Sequence, residues 1–281
     1  MNKKGKLYLV ATPIGNLDDI TIRAIKVLQN VDLIAAEDTR HSLKLLNHLE
    51  ISKPLISYHR HNEENKTEVL LNKLLNGENI ALITDAGTPA ISDPGEEVVK
   101  QAIEKEIEII PIPGACALIN ALICSGMNTR EFAFYGFLPL NKKLRKNKFE
   151  EIKKENKTII LYEAPHKINQ TLKDILQEVG DVNIVLAREL TKIHEEFIRG
   201  KISEIIEKYT DLKGEMIIVL EGNKFENSTD KLTELLNNMS IEEHYNYYKK
   251  QNLEKKEIVK KMAKDRNVNK NEIYMKVINF N

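Results

Sequence analysis

The chain has 281 residues, more than one average domain needs and enough for two cores that require no disulfide staples. Its 42 basic and 42 acidic residues cancel, so net charge gives no argument for a polyanionic partner, and two cysteines, Cys116 and Cys124, exclude a disulfide framework. The N-terminal MNKKGKLYLVATPIG lacks the apolar run of a signal peptide, and nothing approaches the roughly 18 consecutive apolar residues of a membrane span; a cytoplasmic protein with reduced thiols is expected.

From Lys6 to Pro113 short β-rich runs alternate with helical patterns. The runs are LYLVAT, DLIAAED, PLISYH, NIALITD and EIEIIPIP, and Ile22, Ile25 and Leu28 follow the first at helical spacing. Asn62 and Thr67 stand where a helix can begin, and Gly77 where it can stop. Strands apolar on both faces and separated by helices predict a parallel sheet, so residues 1–113 read as an α/β domain. A second α/β domain, 114–222, starts after Pro111-Ile112-Pro113-Gly114 with the apolar helix ACALINALIC. Its strands are EFAFYGFLP, TIILYEA, NIVLARE, EEFIRG and EMIIVLEG; the short gap before EEFIRG predicts an antiparallel pair and a mixed sheet. Residues 223–281 read as a linker, within GNKFENSTD from Gly222 to Asp230, and a small helical appendage. In that appendage Ile258, Met262, Val268, Ile273 and Val277 form the apolar face.

In a parallel sheet, ligands bind beyond the carboxyl ends of the strands. There the sequence offers ATPIGNLDD, EDTRH, SYHRHNE and DAGTPAISDPG. Asp18, Thr39 and Asn62 are candidate helix caps, and the Gly and Pro residues suit turns. Four such loops on one edge nevertheless point to a binding site. Neither G-x-G-x-x-G nor G-x-x-x-x-G-K-[ST] occurs, so a phosphate cradle is missing. The Pro-Ile-Gly-Asn and Ala-Gly-Thr-Pro loops allow close backbone approach with few cations, which suits a neutral or positive ligand. No His/Cys/Glu spacing suggests a metal, Cys116 reads as a packed thiol, and His59 and His61 suit hydrogen bonding as well as catalysis.

VATPIGNLDD, AEDTR, SYHRHNE, LITDAGTPAISDPG, PIPGACALINAL, YEAPHK, RELTKIHEEF and KGE follow one another as in the tetrapyrrole-methylase superfamily. More narrowly they resemble its ribosomal RNA small-subunit methyltransferase I branch, over residues 5 to 222, with a similar helical tail. Lys167 replaces a commoner Arg, and Arg60 stands where Glu is frequent. The resemblance implies two α/β domains with S-adenosyl-L-methionine in the cleft between them, 2′-O-methylation of a cytidine in 16S rRNA of the 30S subunit, and a homodimer without metal or membrane. It carries donor binding onto Pro13, Asp85, Gly87, Thr88, Ser92, Ala115, Cys116, Leu161, Tyr162 and Ala187.

A ribose hydroxyl needs a proton acceptor nearby, and Glu37, Asp38 and His59 are the ionisable candidates at adjacent strand ends. Arg40 and Arg60 suit phosphate contacts, as does the cluster Lys142, Lys143, Arg145, Lys146 and Lys148, which can equally be a solvated helix face. The C-terminal helices can touch RNA, stabilise a dimer or cover a sheet edge. Two rival functions stand beside this reading: a methyltransferase acting on a corrin or porphyrin precursor or a modified protein residue, and a non-catalytic RNA-binding assembly factor.

Overall fold

A computed structural model describes residues 3–209, 212–223, 235–251, 253–278 and 280. The chain divides into two compact units, Met1–Gly222 and Asn223–Asn281. Most of the expected linker, from residue 224 on, lies outside the described residues.

The first half of the larger unit runs β1 (Lys6–Val10), a 3-10 turn (Leu17–Asp19), α1 (Ile22–Asn30), β2 (Leu33–Ala36), α2 (Thr39–His48), β3 (Leu55–Ser57), α3 (Glu63–Leu75), β4 (Ile80–Ile83), α4 (Glu96–Glu104) and β5 (Glu108–Ile112). The strands form one parallel sheet in the order β3-β2-β4-β1-β5. Strand alternation explains the unbroken apolar runs. Leu7, Leu33, Ile80 and Leu82 face one core with Leu70, Leu74 and Val98, while Val10, Ile34, Ala81 and Ile83 face another with Ala24, Leu28 and Leu46.

The helix starts differ from the sequence reading by a residue or more. Thr21, not Asp18, caps α1 by accepting from the Ala24 N–H; Asp38, not Thr39, caps α2 by accepting from the Arg40 N–H. Asn62 precedes α3, but its side chain turns back to accept from the His59 N–H and donate to the Ser57 carbonyl. Thr67 is buried inside α3, where its hydroxyl meets the Tyr58 hydroxyl at 2.9 Å. Short polar side chains such as these bond whichever local backbone group their own turn brings within reach, so the capping residue shifts along the loop.

The second half adds α5 (Ala117–Ser125), β6 (Phe132–Phe137), α6 (Lys142–Lys154), β7 (Thr158–Glu163), α7 (Ile168–Glu178), β8 (Asn183–Arg188), β9 (Glu196–Lys201), α8 (Ile202–Lys208) and β10 (Met216–Leu220). The sheet order is β6-β7-β10-β8-β9, with β6 parallel to β7 and the other pairs antiparallel. One face carries Ile159, Leu161, Ile184, Leu186 and Ile218 toward α6, α7 and α8. The other carries Ile160, Val185, Ala187, Ile217 and Val219 toward Leu118, Ala121 and Leu122 of α5. Ile14, from the loop after β1, is buried in that same second-half cluster.

The smaller unit contains α9 (Ile241–Lys249), α10 (Lys255–Asp265) and α11 (Lys270–Val277). Ile258, Met262, Ile273 and Val277 join Leu236, Tyr245 and Tyr248 in its core, and Val268 packs against them. Buried His244 accepts from the Arg266 guanidinium at Nδ1 (3.0 Å) and pairs with Asp265 through Nε2 (3.2 Å), tying α9 to the end of α10. No helix among the described residues is long and apolar enough to cross a membrane.

Candidate active site

Two loops of the first half close on each other at the strand ends. Thr12 and Gly87 exchange both backbone hydrogen bonds, at 2.9 and 3.1 Å, and the Thr12 hydroxyl donates to the Thr84 carbonyl. Gly87 sits at φ +86, the left-handed region that favours glycine, and a Cβ there would lie 3.1 Å from Ile14, tight enough that the Ile14 side chain would have to shift. Gly15 has the same spatial reason: its missing Cβ would stand 2.7 Å from the Thr191 hydroxyl of the loop after β8. That hydroxyl accepts the Asn16 N–H at 3.0 Å. The two halves are therefore clasped by backbone contact.

Strained backbone gathers at the same place. Ala90 and Ser92, in the loop after β4, and Glu189 and Thr191, in the loop after β8, all have left-handed φ between +49 and +66. Each costs of order 1–3 kcal/mol, a cost that persists where surrounding contacts over-determine a functional geometry.

Between these loops and β7, β8 and β10 lies a cavity of about 390 Å³. Gly87, Thr88, Ser92 and Asp93 form one wall, Cys116 and Ala117 the floor at the start of α5, and Tyr162, Ala187, Leu190 and Ile217 the facing wall. The Thr88 hydroxyl donates to the Ala115 carbonyl at 3.0 Å, which fixes the loop after β4 on the junction between the halves. Burial raises the Tyr162 hydroxyl to about 12, so it stays protonated. No lysine or arginine lines the cavity, and Asp93 is among the residues that do; Glu163 and Glu215 border it as well, but the Glu163 carboxylate accepts from the Thr171 hydroxyl and the Ala164 N–H, and that of Glu215 pairs with Lys192. A walled, mostly apolar space lined by no cation suits an organic cation with an apolar body.

Of the residues expected to hold the donor, Gly87, Thr88, Ser92, Cys116, Tyr162 and Ala187 line this cavity, and Ala115 supports it. Pro13 and Asp85 lie instead in a neighbouring recess of about 40 Å³ with Thr84, His41 and Ser42. Leu161 does not line the cavity: period-two alternation turns its side chain to the opposite face of the sheet, into the core with α7.

None of Glu37, Asp38 and His59 lines the cavity. Asp38 is engaged by the Arg40 guanidinium, whose hydrogen bonds hold its carboxyl well below the usual range and make it a poor base. Glu37 accepts from the Thr84 hydroxyl at 2.7 Å. His59 meets the Asn62 amide at Nε2, and its buried Nδ1 has no hydrogen-bond partner. The carboxylate that does reach the cavity is Asp93. Burial, reinforced by the nearby Glu37 charge, raises it to about 6. Asp85, which accepts the Asp38 N–H, is raised too, chiefly by burial. Asp93 stood in the sequence inside DAGTPAISDPG, but the Glu37 charge that helps to raise it comes from another loop.

The cations are not one surface. Arg40 is taken by Asp38, and Arg60 donates to the Ser92 carbonyl, bridging the loops after β3 and β4. Arg145 is tied to Asp174 and Thr171, so it braces α6 on α7, and Lys148 pairs with Glu151. Lys142, Lys143 and Lys146 remain exposed on α6. Just before them stand Phe137, at the cavity rim against Tyr162 (5.6 Å between ring centroids), and the exposed Leu140, and among them the exposed Leu144. An exposed aromatic ring beside free lysines was not anticipated from the sequence.

Residues 6–206 match the tetrapyrrole (corrin/porphyrin) methylases, and the chain belongs to that family of methyltransferases, which use S-adenosyl-L-methionine. It is 46% identical over 273 residues to "Ribosomal RNA small subunit methyltransferase I" of Halalkalibacterium halodurans, covering 96% of this chain and 94% of the relative. The protein of the same name from Thermotoga maritima is 46% identical over 222 residues, which span 78% of this chain and all of that relative. Among solved structures, diphthine synthase superposes with TM-score 0.62 at 13% identity, covering 77% of this chain and 90% of that one. Cobalt precorrin-4 methyltransferase gives 0.57 at 17%, covering 76% and 94%. These two establish the shared fold.

Proposed function

We propose that the chain transfers the methyl group of S-adenosyl-L-methionine to the ribose 2′-hydroxyl of a cytidine in 16S rRNA of the 30S subunit. The observation that carries the reading is a cation-suited cavity bordered by the exposed Phe137, which precedes by a few residues the exposed Lys142 and Lys143, in a chain whose relatives are named for ribosomal RNA. Gly87, Thr88, Ser92, Ala115, Cys116, Tyr162 and Ala187 hold the donor, with Pro13 and Asp85 behind the loops that do so. The donor supplies an activated methyl on a sulfonium, which needs alignment more than covalent help.

The chain's own residues do the aligning and handle the proton. The left-handed turn at Ala90 and Ser92 aims the loop after β4 so that Asp93 faces the cavity. Asp93, ionised at neutral pH yet basic for a carboxylate, takes the hydroxyl proton as the oxygen attacks. Glu37, held by Thr84, keeps Asp93 basic through its charge. Lys142, Lys143 and Lys146 meet phosphates and Phe137 stacks on a base beside the target. The exposed Ile119, Ile123 and Ile193 fit a homodimer contact.

The test is transfer from labelled donor to purified 30S subunits lacking the modification, followed by nucleoside analysis. The expected product is 2′-O-methylcytidine. Donor binding without transfer to RNA would overturn the reading and direct the search to small-molecule acceptors.

A further inference from the structure

Charge is unevenly spent in this chain. It is neutral as a whole, but between Lys255 and Lys276 eight basic residues face three acidic ones. Four of the eight have local roles. Lys255 donates to the Ile278 and Phe280 carbonyls, Lys261 lies over the Tyr248 ring, Arg266 holds His244, and Lys276 pairs with Glu272. Lys256, Lys260, Lys264 and Lys270 are exposed and have no partner among the described residues.

Lys256, Lys260 and Lys264 lie four residues apart on α10, so they form one stripe with about 6 Å of rise between neighbours. Like charges at this spacing repel and weaken the helix that carries them. The opposite requirement, an apolar core face, is met by Ile258, Val259, Met262 and Ala263, so the lysines are not needed to seat α10. Glu257 is the one acid of the helix before Asp265, and Asp265 is already engaged by His244 and Tyr248. The unit that bears the stripe also lies outside the family match, which ends at residue 206. The Thermotoga maritima relative is matched over its whole length by 78% of this chain, a share equal to the larger unit. A methyltransferase of this kind therefore exists without the helical unit, and what the unit adds lies outside the donor cavity.

We propose that the helical unit is an accessory RNA clamp: the Lys256–Lys260–Lys264 stripe binds consecutive phosphates of the substrate RNA, raising affinity without choosing the sequence. The proposal rests on the rRNA reading above. A regularly spaced row of unpaired lysines complements a polyanion of regular charge, and a bound backbone reverses the repulsion along α10.

The experiment compares the full-length protein with its K256A/K260A/K264A variant in binding to naked 16S rRNA fragments across a salt series, with donor affinity by calorimetry in parallel. Alanine favours helix, so the variant keeps α10. Binding at physiological salt should fall roughly ten-fold or more, and the slope of log affinity against log salt should shrink by about 2, with donor affinity unchanged. The K256R/K260R/K264R variant should retain the wild-type slope. A wild-type slope in the alanine variant would overturn the proposal. So would unchanged binding to naked RNA with weakened binding to whole subunits, since the stripe would then meet protein. If the wild type itself neither binds nor methylates RNA, the rRNA reading falls first, and the two failures are thereby distinguished.

Discussion

At the residue scale the proposed chemistry centres on a single carboxyl group. Asp93 is raised to about 6, against 3.8 for an ordinary aspartate. Because the folded state raises it, the protonated form is favoured by folding, and that contribution is lost as pH climbs from about 4 through 6. Catalysis has the opposite requirement, since only the ionised form accepts a proton. The value of kcat/KM should therefore rise about ten-fold per pH unit up to roughly 6 and then level. The break in kcat should lie lower, because a cation in the cavity favours the carboxylate. Asp93→Asn should abolish that acidic limb and slow single-turnover transfer by about 10²- to 10⁴-fold, with a melting temperature at neutral pH that rises rather than falls. Retention of both rate and pH limb would remove Asp93 from the proton's path.

At the scale of loops and helices, much was legible in advance because one physical rule governed it. Strands such as Leu33–Ala36 and Ile80–Ile83 are buried on both sides, so their unbroken apolar runs announced a parallel sheet. Gly87 and Thr88 were legible because they sit at a strand end. Asp93 and Phe137 were not, since the importance of each comes from neighbours far away in sequence: Glu37 for one, Tyr162 for the other. The pairing of Arg145 was hidden for the same reason, as its partner Asp174 belongs to another helix. Gly87→Ala should cost about 1–2 kcal/mol from its left-handed φ alone, and the contact with Ile14 should weaken donor binding further; calorimetry and denaturant titration separate the two. In the helical unit, burial first and the Arg266 charge second lower the pKa of His244 below 6.5. The unfolded chain then takes up the proton more readily, so this unit should lose stability as pH falls below about 6.5. Amide protection factors in α9 and α10 measured between pH 7 and 5 will register that loss.

For the larger unit as a whole, the decisive contact is Ile14. It leaves the first half, is 8% exposed, and packs among residues of the second. Ile14→Ala should destabilise the unit by about 2–5 kcal/mol in urea titration and lower donor affinity in parallel, because the same side chain lines the cavity. An effect on stability alone would mean that the cavity wall does not depend on it.

The clasp also bears on how fast small molecules exchange. With Asn16 bonded to Thr191, Thr88 to Ala115 and Ile14 inserted across the junction, a hinge between the halves cannot swing without exposing apolar surface and breaking these attachments. Fresh donor and spent product must then pass through the fixed mouth beside Phe137 and Ile91, one replacing the other in a standing aperture. On the proposed function, turnover would be set by diffusion past that mouth and by departure of the methylated product, rather than by any breathing of the two sheets.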